Sequence, residues 1–464
     1  MPEGRPRLRL PLVIALATAA ACGGRGPARP PDARPNVLFV IFDDLSYHIG
    51  LYGGAARTPQ LERLARRGRR FDRAYCQYPL CSPSRTSFLT GWGPERTQVW
   101  GNLRPPRAWL EGAIPLQEHF HANGYFTARV GKVYHSRFES EFRWDFTEDT
   151  YDDAADEQVP SAIGWGPSPR RDAEEPDGRA ARRAVRLLEE KKDVPFFIGV
   201  GFLKPHDPWV VPEAYFRMYP PPAVTLPPEA PNHGDDAILE PRRGAPFDIP
   251  REKRREARAA YQAAVTFVDA QLGLLLDALD RLRLWDRTVV VVLGDNGVHV
   301  GEHGIFGKMT LFEESARVPL LLAAPGLERP GTPTERLVEL LDLYPTLLEL
   351  CRLPPVEGLE GTSLLPLLRD PDHPWKGAAY TLRKVGATKK GQLAKSVRTE
   401  RYRYTEWPDG ETELYDHQTD PEEFNNLAED PRFKGEIEEL RKTLRAGAGA
   451  RSPVRPGASP SAKP

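Results

Sequence analysis

Four apolar runs of strand length constrain this chain more than any other feature: Asn36–Phe42, Val194–Phe202, Thr288–Leu293 and Val318–Ala323. None alternates polar with apolar residues, so each needs burial on both faces, which a parallel sheet covered by helices provides. Helical patterns lie between the runs. Thr58 is placed as an N-cap with Pro59 at the first helical position, Leu61 and Leu64 on one face and Gly68 as the stop. Tyr261, Val265, Val268, Leu272, Leu275 and Leu279 predict a long amphipathic helix that feeds the strand at Val289. The fold class is therefore α/β, a mixed, mostly parallel sheet flanked by helices, with ligands expected beyond the carboxyl ends of the strands.

This pattern extends over 36–368, the expected catalytic domain. Two stretches interrupt it, 139–178 and the Pro-rich 219–252, and both read as long surface insertions. After Leu368 short alternating runs predict a small antiparallel sheet in a second α+β unit over 369–445, followed by a Gly/Ser/Pro/Ala-rich stretch, 446–464, read as a disordered tail. At the other end Arg5, Arg7 and Arg9 precede the apolar run Leu10–Ala21. At about 12 residues it is too short to span a bilayer, where ~20 are needed, and 1–21 reads as an export signal. Ala19–Ala21 before Cys22 resembles the cleavage and acylation site of a bacterial lipoprotein. That implies a lipid anchor at Cys22, a flexible tether over 22–35 and a place in the cell envelope (periplasm or outer membrane), with plain secretion as the alternative. The 64 basic and 65 acidic side chains give a formal net charge of −1. A nucleic-acid partner is therefore not expected, and membrane contact is expected only through Cys22.

Chemistry concentrates at strand ends. Asp43-Asp44 follows the first apolar run and Asp295-Asn296 follows the third. Adjacent carboxylates repel unless a cation lies between them, and two oxygen-rich pairs at the same sheet edge suit one Ca²⁺ or Mg²⁺; a solvated turn is the alternative for either pair alone. The third signal is Cys81-Ser82-Pro83-Ser84-Arg85, which runs on to Gly91. From Pro83 it reads as the first turn of a short helix, which sets Cys81 where a helix N-terminus stabilises negative charge.

Leu80–Gly91 resembles the sulfatase signature, whose core is Cys-x-Pro-x-Arg, and every defining position is filled. Gly131-Lys132-Val133-Tyr134-His135, Lys204-Pro205-His206, Gly301–Gly304 with Lys308, and Glu413–Asp416 through Ala428 extend the resemblance over most of the chain. It implies an alkaline-phosphatase-like fold and hydrolysis of a sulfate ester. It further implies that a dedicated maturation enzyme oxidises Cys81 to Cα-formylglycine, whose hydrated aldehyde is the nucleophile. One Ca²⁺ would be held by Asp43, Asp44, Asp295 and Asn296 with position 81 completing the site. Arg85, Lys132 and Lys308 would spread the sulfate's charge, His206 with Lys308 would protonate the leaving oxygen, and His135 would take the proton that releases sulfate.

The spacing is most similar to the iduronate-2-sulfatase and choline-sulfatase branch, which implies a sulfated carbohydrate substrate, a 2-O-sulfated uronic acid foremost. Asn296 departs from it, since iduronate-2-sulfatases often carry His there. The alternatives are a choline-sulfatase-like enzyme, a phosphodiester or phosphonate hydrolase of the same superfamily, and a non-catalytic envelope lipoprotein that binds sulfated glycans. For Cys81 itself the alternatives are a packing thiol or a Cys76–Cys81 disulfide. Cys76 and Cys351 are expected to pack in the core, His303 to ligate a neighbouring group or cap its loop, and Trp209 to line a sugar subsite; Pro205 fixes the turn at Lys204-Pro205-His206, and solvent exposure is the alternative for Lys204.

Overall fold

The computed structural model describes residues 34–151, 164–229, 249–386 and 392–450. The expected export signal and Cys22 lie outside the described residues, as do parts of both insertions. The strands in chain order are β1 (Asn36–Asp43), β2 (Arg69–Tyr75), β3 (Phe126–Gly131), β4 (Phe146–Glu148), β5 (Trp165–Ser168), β6 (Phe196–Pro205), β7 (Trp209–Pro212) and β8 (Thr288–Gly294). They continue with β9 (His299–Val300), β10 (Phe306–Gly307), β11 (Arg317–Ala323), β12 (Thr334–Glu339), β13 (Ala378–Val385), β14 (Gln392–Thr399), β15 (Tyr402–Glu406) and β16 (Thr412–Asp416).

Eight strands form the main sheet in the order β12-β2-β11-β8-β1-β6-β3-β4. β11 alone runs against the others, pairing antiparallel with β2 and β8. The uninterrupted apolar run of β1 has the predicted consequence: Leu38, Val40 and Phe42 face one core, and Val37, Phe39 and Ile41 face the other. The first core is closed by the long helix Arg251–Arg281 and the helix Pro176–Lys191, the second by Leu343–Leu350 and the short helix Cys81–Thr90. Arg251–Arg281 is long and apolar enough to cross a bilayer, but 89% of its most apolar window is buried inside the protein, so it is a core helix.

The helix Pro59–Arg67 starts and stops where the sequence predicts, with a different cap. Thr58 Oγ1 accepts from Leu51 N at 2.8 Å, and the free N–H groups of Gln60 and Leu61 donate to the Asp269 carboxylate at 2.9 and 2.8 Å. Asp269 belongs to the long helix, so one carboxylate both caps a helix and docks two helices together.

The last four strands form a separate antiparallel sheet, β13-β14-β15-β16. Val397, Tyr404 and Leu414 pack on it against Leu440 and Leu444 of the closing helix Lys434–Ala450. That helix extends past position 446, where composition placed the start of a disordered tail, while 451–464 lie outside the described residues. Cys76, Cys81 and Cys351 are buried free thiols, so no Cys76–Cys81 disulfide is present.

Candidate active site

Parallel pairing brings four strand ends to one edge. Phe42 and Gly294 are in register, which sets Asp43-Asp44 beside Asp295-Asn296, and Asp43 pairs across to Pro205 at the end of β6. β3 ends at Gly131, and the chain turns at once over β6: Lys132 N donates to Gly201 O at 3.0 Å. A Cβ at residue 201 would lie 1.8 Å from Lys132 O, so only glycine admits this crossing. The crossing aims Lys132 into the same space as the two acidic pairs.

Cys81 is the first residue of its helix, and every residue of that helix is buried. The Cys81 thiol donates to Asp43 Oδ1 at 3.3 Å and accepts from Lys308 Nζ at 2.9 Å. Arg85, one turn on, is fully buried and holds two strand ends together: Nε donates to Asp295 Oδ2 at 2.7 Å, Nη2 lies 3.2 Å from Asp43 Oδ1, and Nη1 donates to the carbonyl of Lys132. Lys132 Nζ donates to Asp43 Oδ2, and Lys308 Nζ to Asp44 Oδ1 at 2.5 Å. His206 Nε2 is 3.7 Å from Asp44 Oδ2, with its side chain 31% exposed. Among the described residues the His135 side chain makes no hydrogen bond to this cluster, although its charge state responds to Lys132 and Asp43.

One oxygen each of Asp43, Asp44 and Asp295 lie within 4.8 Å of one another. Asn296 Nδ2 donates to Asp44 Oδ1 at 2.7 Å and to Gly297 O at 3.0 Å, whereas Asn296 Oδ1 is buried with no hydrogen-bond partner. An orphaned buried carbonyl oxygen is costly. Set beside three convergent carboxylates, it completes a donor set of hard oxygens that fits Ca²⁺ or Mg²⁺.

The electrostatics follow from burial and these neighbours. Burial pushes the Asp43 carboxyl up, but Lys132, His206 and Arg85 outweigh it and hold it well below the usual carboxylate range. Asp295 moves the other way: burial, with Asp43 and Asp44 nearby, raises it against Arg85. Lys308 stays charged despite burial because the carboxylates Asp44, Asp43 and Asp295 lie around it. Burial and Asp43 push the Cys81 thiol up, so the unmodified side chain is a protonated thiol and not a thiolate nucleophile. Burial, reinforced by Lys132, drives His135 down to about 2.

The structure also assigns the remaining sequence candidates. Lys204 Nζ donates to Pro208 O at 2.6 Å and His206 O at 3.3 Å, so it holds the turn that presents His206. Asp177 supports the same turn by accepting from Leu203 N and Lys204 N, at 2.7 and 2.9 Å. Trp209 is no subsite residue: it is 3% exposed, its Nε1 donates to Pro205 O at 2.8 Å and its ring packs edge-on against Tyr261. His303 lies stacked on Phe312, 3.5 Å from Glu314, within a structural group.

Three residues outside the predicted site set support the site. Ser84 Oγ donates to Asp295 O at 2.5 Å, and Asn102 Oδ1 accepts from Ser82 N at 3.0 Å. Tyr261 OH donates to Asp44 O at 3.0 Å and accepts from Ser46 N at 2.7 Å, which pins the left-handed Asp44 (φ 61). Of these only Ser84 carried a signal, its place inside the signature.

Comparison with known proteins agrees with this geometry. A solved phosphonate monoester hydrolase of Agrobacterium radiobacter superposes with a TM-score of 0.79 at 23% identity, covering 90% of this chain and 96% of that one. The fold is alkaline-phosphatase-like. The sulfatase family model matches residues 35–353, and a model described as N-sulphoglucosamine sulphohydrolase, C-terminal, matches 301–448. The chain is 32% identical to a sulfatase of Formosa agariphila, over 89% of its own length and 86% of the relative's. It is also 32% identical to the iduronate 2-sulfatase of Mus musculus, over 69% of each. The chain belongs to the type I sulfatase family and is a sulfuric ester hydrolase.

Proposed function

We propose that this enzyme removes sulfate from a 2-O-sulfated uronic acid or a related sulfated sugar, with Cys81 converted to Cα-formylglycine and one calcium ion held by Asp43, Asp44, Asp295 and Asn296. The observation that carries the reading is the unpartnered Asn296 Oδ1 among three buried carboxylates beside Cys81. Likeness to iduronate 2-sulfatase supports the substrate class.

When bound, calcium supplies Lewis-acid polarisation of the sulfate oxygens and turns a site of three carboxylates and three cations net positive. At position 81 the formylglycine would supply, as its hydrate, the hydroxyl nucleophile for S–O cleavage of the ester. The chain's own residues do the rest. Arg85 and Lys132 hold the Asp43 carboxylate, which accepts from the position-81 side chain. Lys308, already within hydrogen-bond reach of Cys81 Sγ, faces the negative charge that grows on the sulfate oxygens. His206, the partly exposed group of the cluster, reaches the leaving oxygen from the solvent side and donates its proton. His135 is held neutral, and an anion in the pocket raises its basicity, so it accepts the proton that lets sulfate depart.

Export through 1–21 and acylation at Cys22 belong to the same proposal, and the mass of the mature N-terminus tests them. The test of the chemistry has two parts on enzyme from a host that carries the maturation enzyme. Peptide mass analysis across Cys81 is expected to show the aldehyde. Sulfate release is then compared on 2-O-, 4-O- and 6-O-sulfated sugars and choline sulfate, with a phosphonate monoester alongside; the 2-O-sulfated uronate is expected to lead. An unmodified thiol in active enzyme, or preference for the phosphonate, overturns the reading.

A further inference from the structure

Lys308 reaches the site from a strained turn. It follows the antiparallel pair β9 and β10, and the chain there takes positive φ at Gly307 (139°) and again at Met309 (73°). Glycine adopts such a conformation freely, whereas a side chain as long as methionine keeps it where surrounding contacts hold it. One of those contacts comes from far along the chain. Arg383 of β13 is buried, and its Nη1 donates to the Met309 carbonyl. Thr310, the next residue, is pinned by its side chain: Oγ1 lies 2.7 Å from His299 Nε2 and 3.0 Å from Ser315 Oγ. Leu311 then packs on Ala394 of β14 and Trp407 just after β15. The backbone that presents Lys308 therefore leans on the C-terminal sheet.

The same strand holds the other side of the site. Thr381 Oγ1 donates to Cys76 O at 2.7 Å, Leu382 N to Gln77 O at 3.0 Å and Lys384 N to the Tyr78 hydroxyl at 3.1 Å. β13 is thus laid along residues 76–78, in the segment that leads into Cys81. Alternation along a strand puts Thr381 and Arg383 on one face. One of these side chains fastens the segment before Cys81, and the other fastens the turn at Lys308. Between the two lies the 2.9 Å contact of Lys308 Nζ with Cys81 Sγ. Asp44 draws in the ammonium, but a flexible lysine stem sets no backbone position, so this contact depends on how the two segments are held.

We propose that Arg383 is a positioning residue for the sulfatase reaction: it locks the turn at Met309 and so keeps Lys308 at a fixed distance from position 81. This rests on the reading above, in which Lys308 faces the charge that grows on the sulfate oxygens. It adds that the C-terminal sheet is part of the catalytic apparatus, joined to it by one guanidinium that acts through Lys308 and not on the substrate.

The test is a double-mutant cycle on the matured enzyme with an aryl sulfate as substrate. Lys308→Ala is expected to lower kcat about 10²- to 10³-fold. Arg383→Met is expected to lower kcat about ten- to thirtyfold with KM held within about twofold, and Arg383→Lys to recover most of the loss, since one carbonyl asks for one donor. In the double variant Arg383→Met should add less than about threefold to the loss from Lys308→Ala. A full additional loss there, an unchanged kcat in Arg383→Met, or a loss confined to KM overturns the proposal, because Arg383 would then act on the substrate or on nothing in the reaction. Where Arg383→Met does not fold, Arg383→Gln takes its place in the cycle. If no Arg383 variant folds, Arg383→Lys included, the residue is structural and the proposal fails. Lys308→Ala with kcat intact would instead overturn the reading of Lys308 on which the proposal rests.

Discussion

Two buried clusters of charge share the segment from Lys308 to Arg317, and they solve the same problem in opposite ways. In the second cluster Glu313 Oε1 takes Arg398 Nε at 3.1 Å and Arg403 Nη2, and its Oε2 takes Tyr75 OH at 3.3 Å. Glu423 Oε1 takes Arg403 Nε and His417 Nε2, and its Oε2 takes the backbone N–H of Glu313 at 2.8 Å. Every carboxylate oxygen there has a donor from the protein, so although Glu313, His417 and Glu423 converge as metal ligands could, the arginines already fill the space. The cluster joins β14 and β15 to the main sheet and is architecture. In the candidate catalytic cluster three carboxylates converge as closely, but Asn296 Oδ1 is left over. Convergent acid residues do not mark a metal site by themselves; the surplus acceptor is what supports the metal proposal for one cluster and not the other.

The comparison breaks most sharply at Cys81, the position proposed to carry the nucleophile. Cys81→Ala removes one small side chain at the helix start and is expected to lower turnover by at least about 10⁴-fold. Thermal unfolding should shift little, since the loss is one small side chain and no backbone contact. Retained sulfate release in that variant would show that position 81 is not where the reaction happens. Arg403→Ala is the mirror experiment. It leaves Glu313 and Glu423 buried without their shared cation, at an expected cost of about 3–5 kcal/mol in denaturant unfolding, while kcat of the folded fraction persists. If Arg403→Ala were as stable as the parent, the second cluster would not be architecture.

Much of this contrast was legible in the sequence, and what was not has a physical reason. The apolar runs foretold β1, β6, β8 and β11 because burial on both faces leaves a mark on every position. Asp43, Asp44, Asp295 and Asn296 were visible because strand ends in a parallel sheet share an edge whatever the details of register. The supporting contacts were not visible. Tyr261 reaches Asp44 across 217 positions, and its place in an amphipathic helix marked it only as core. Trp209 beside His206 suggested a sugar platform, but its ring turned inward against the long helix, a choice set by packing that neighbouring residues do not record. The second cluster was invisible for the same reason: its members come from four separate segments, and none has a spacing of its own.

A finer cut between the clusters uses calcium. Asn296→Ala removes the surplus oxygen and two hydrogen bonds of Nδ2, so calcium affinity, read as the calcium-dependent rise in melting temperature or by titration calorimetry, is expected to fall about 10- to 100-fold. Asn296→Asp should keep calcium binding, because it restores an oxygen donor. Arg403→Ala, by contrast, should leave the calcium response as it is. Loss of that response in Arg403→Ala, with none in Asn296→Ala, would exchange the roles assigned to the two clusters.

The smallest effect is a slope against pH. Burial acts to raise Glu313 and Glu423, but the cations around them, Arg398 and Arg403 at Glu313 and Arg403 with His417 at Glu423, hold both carboxyls below the ordinary value of 4.5. A carboxyl depressed in the folded state contributes stability that is complete above the unfolded value and disappears as pH falls toward the folded one. Between those limits the unfolded chain binds a proton that the folded chain refuses, and unfolding free energy drops by about 1.4 kcal/mol per pH unit for each such group. Urea midpoints measured from pH 6 down to pH 3 should therefore stay level to about pH 5 and then decline. In Glu313→Gln/Glu423→Gln the decline should be shallower by these two groups' share, since the amides keep much of the shape and cannot titrate. An identical acid slope in the double variant would mean that other carboxylates, those of the catalytic cluster among them, carry the acid sensitivity, and the contrast between a saturated cluster and an open one would have to be drawn from calcium alone.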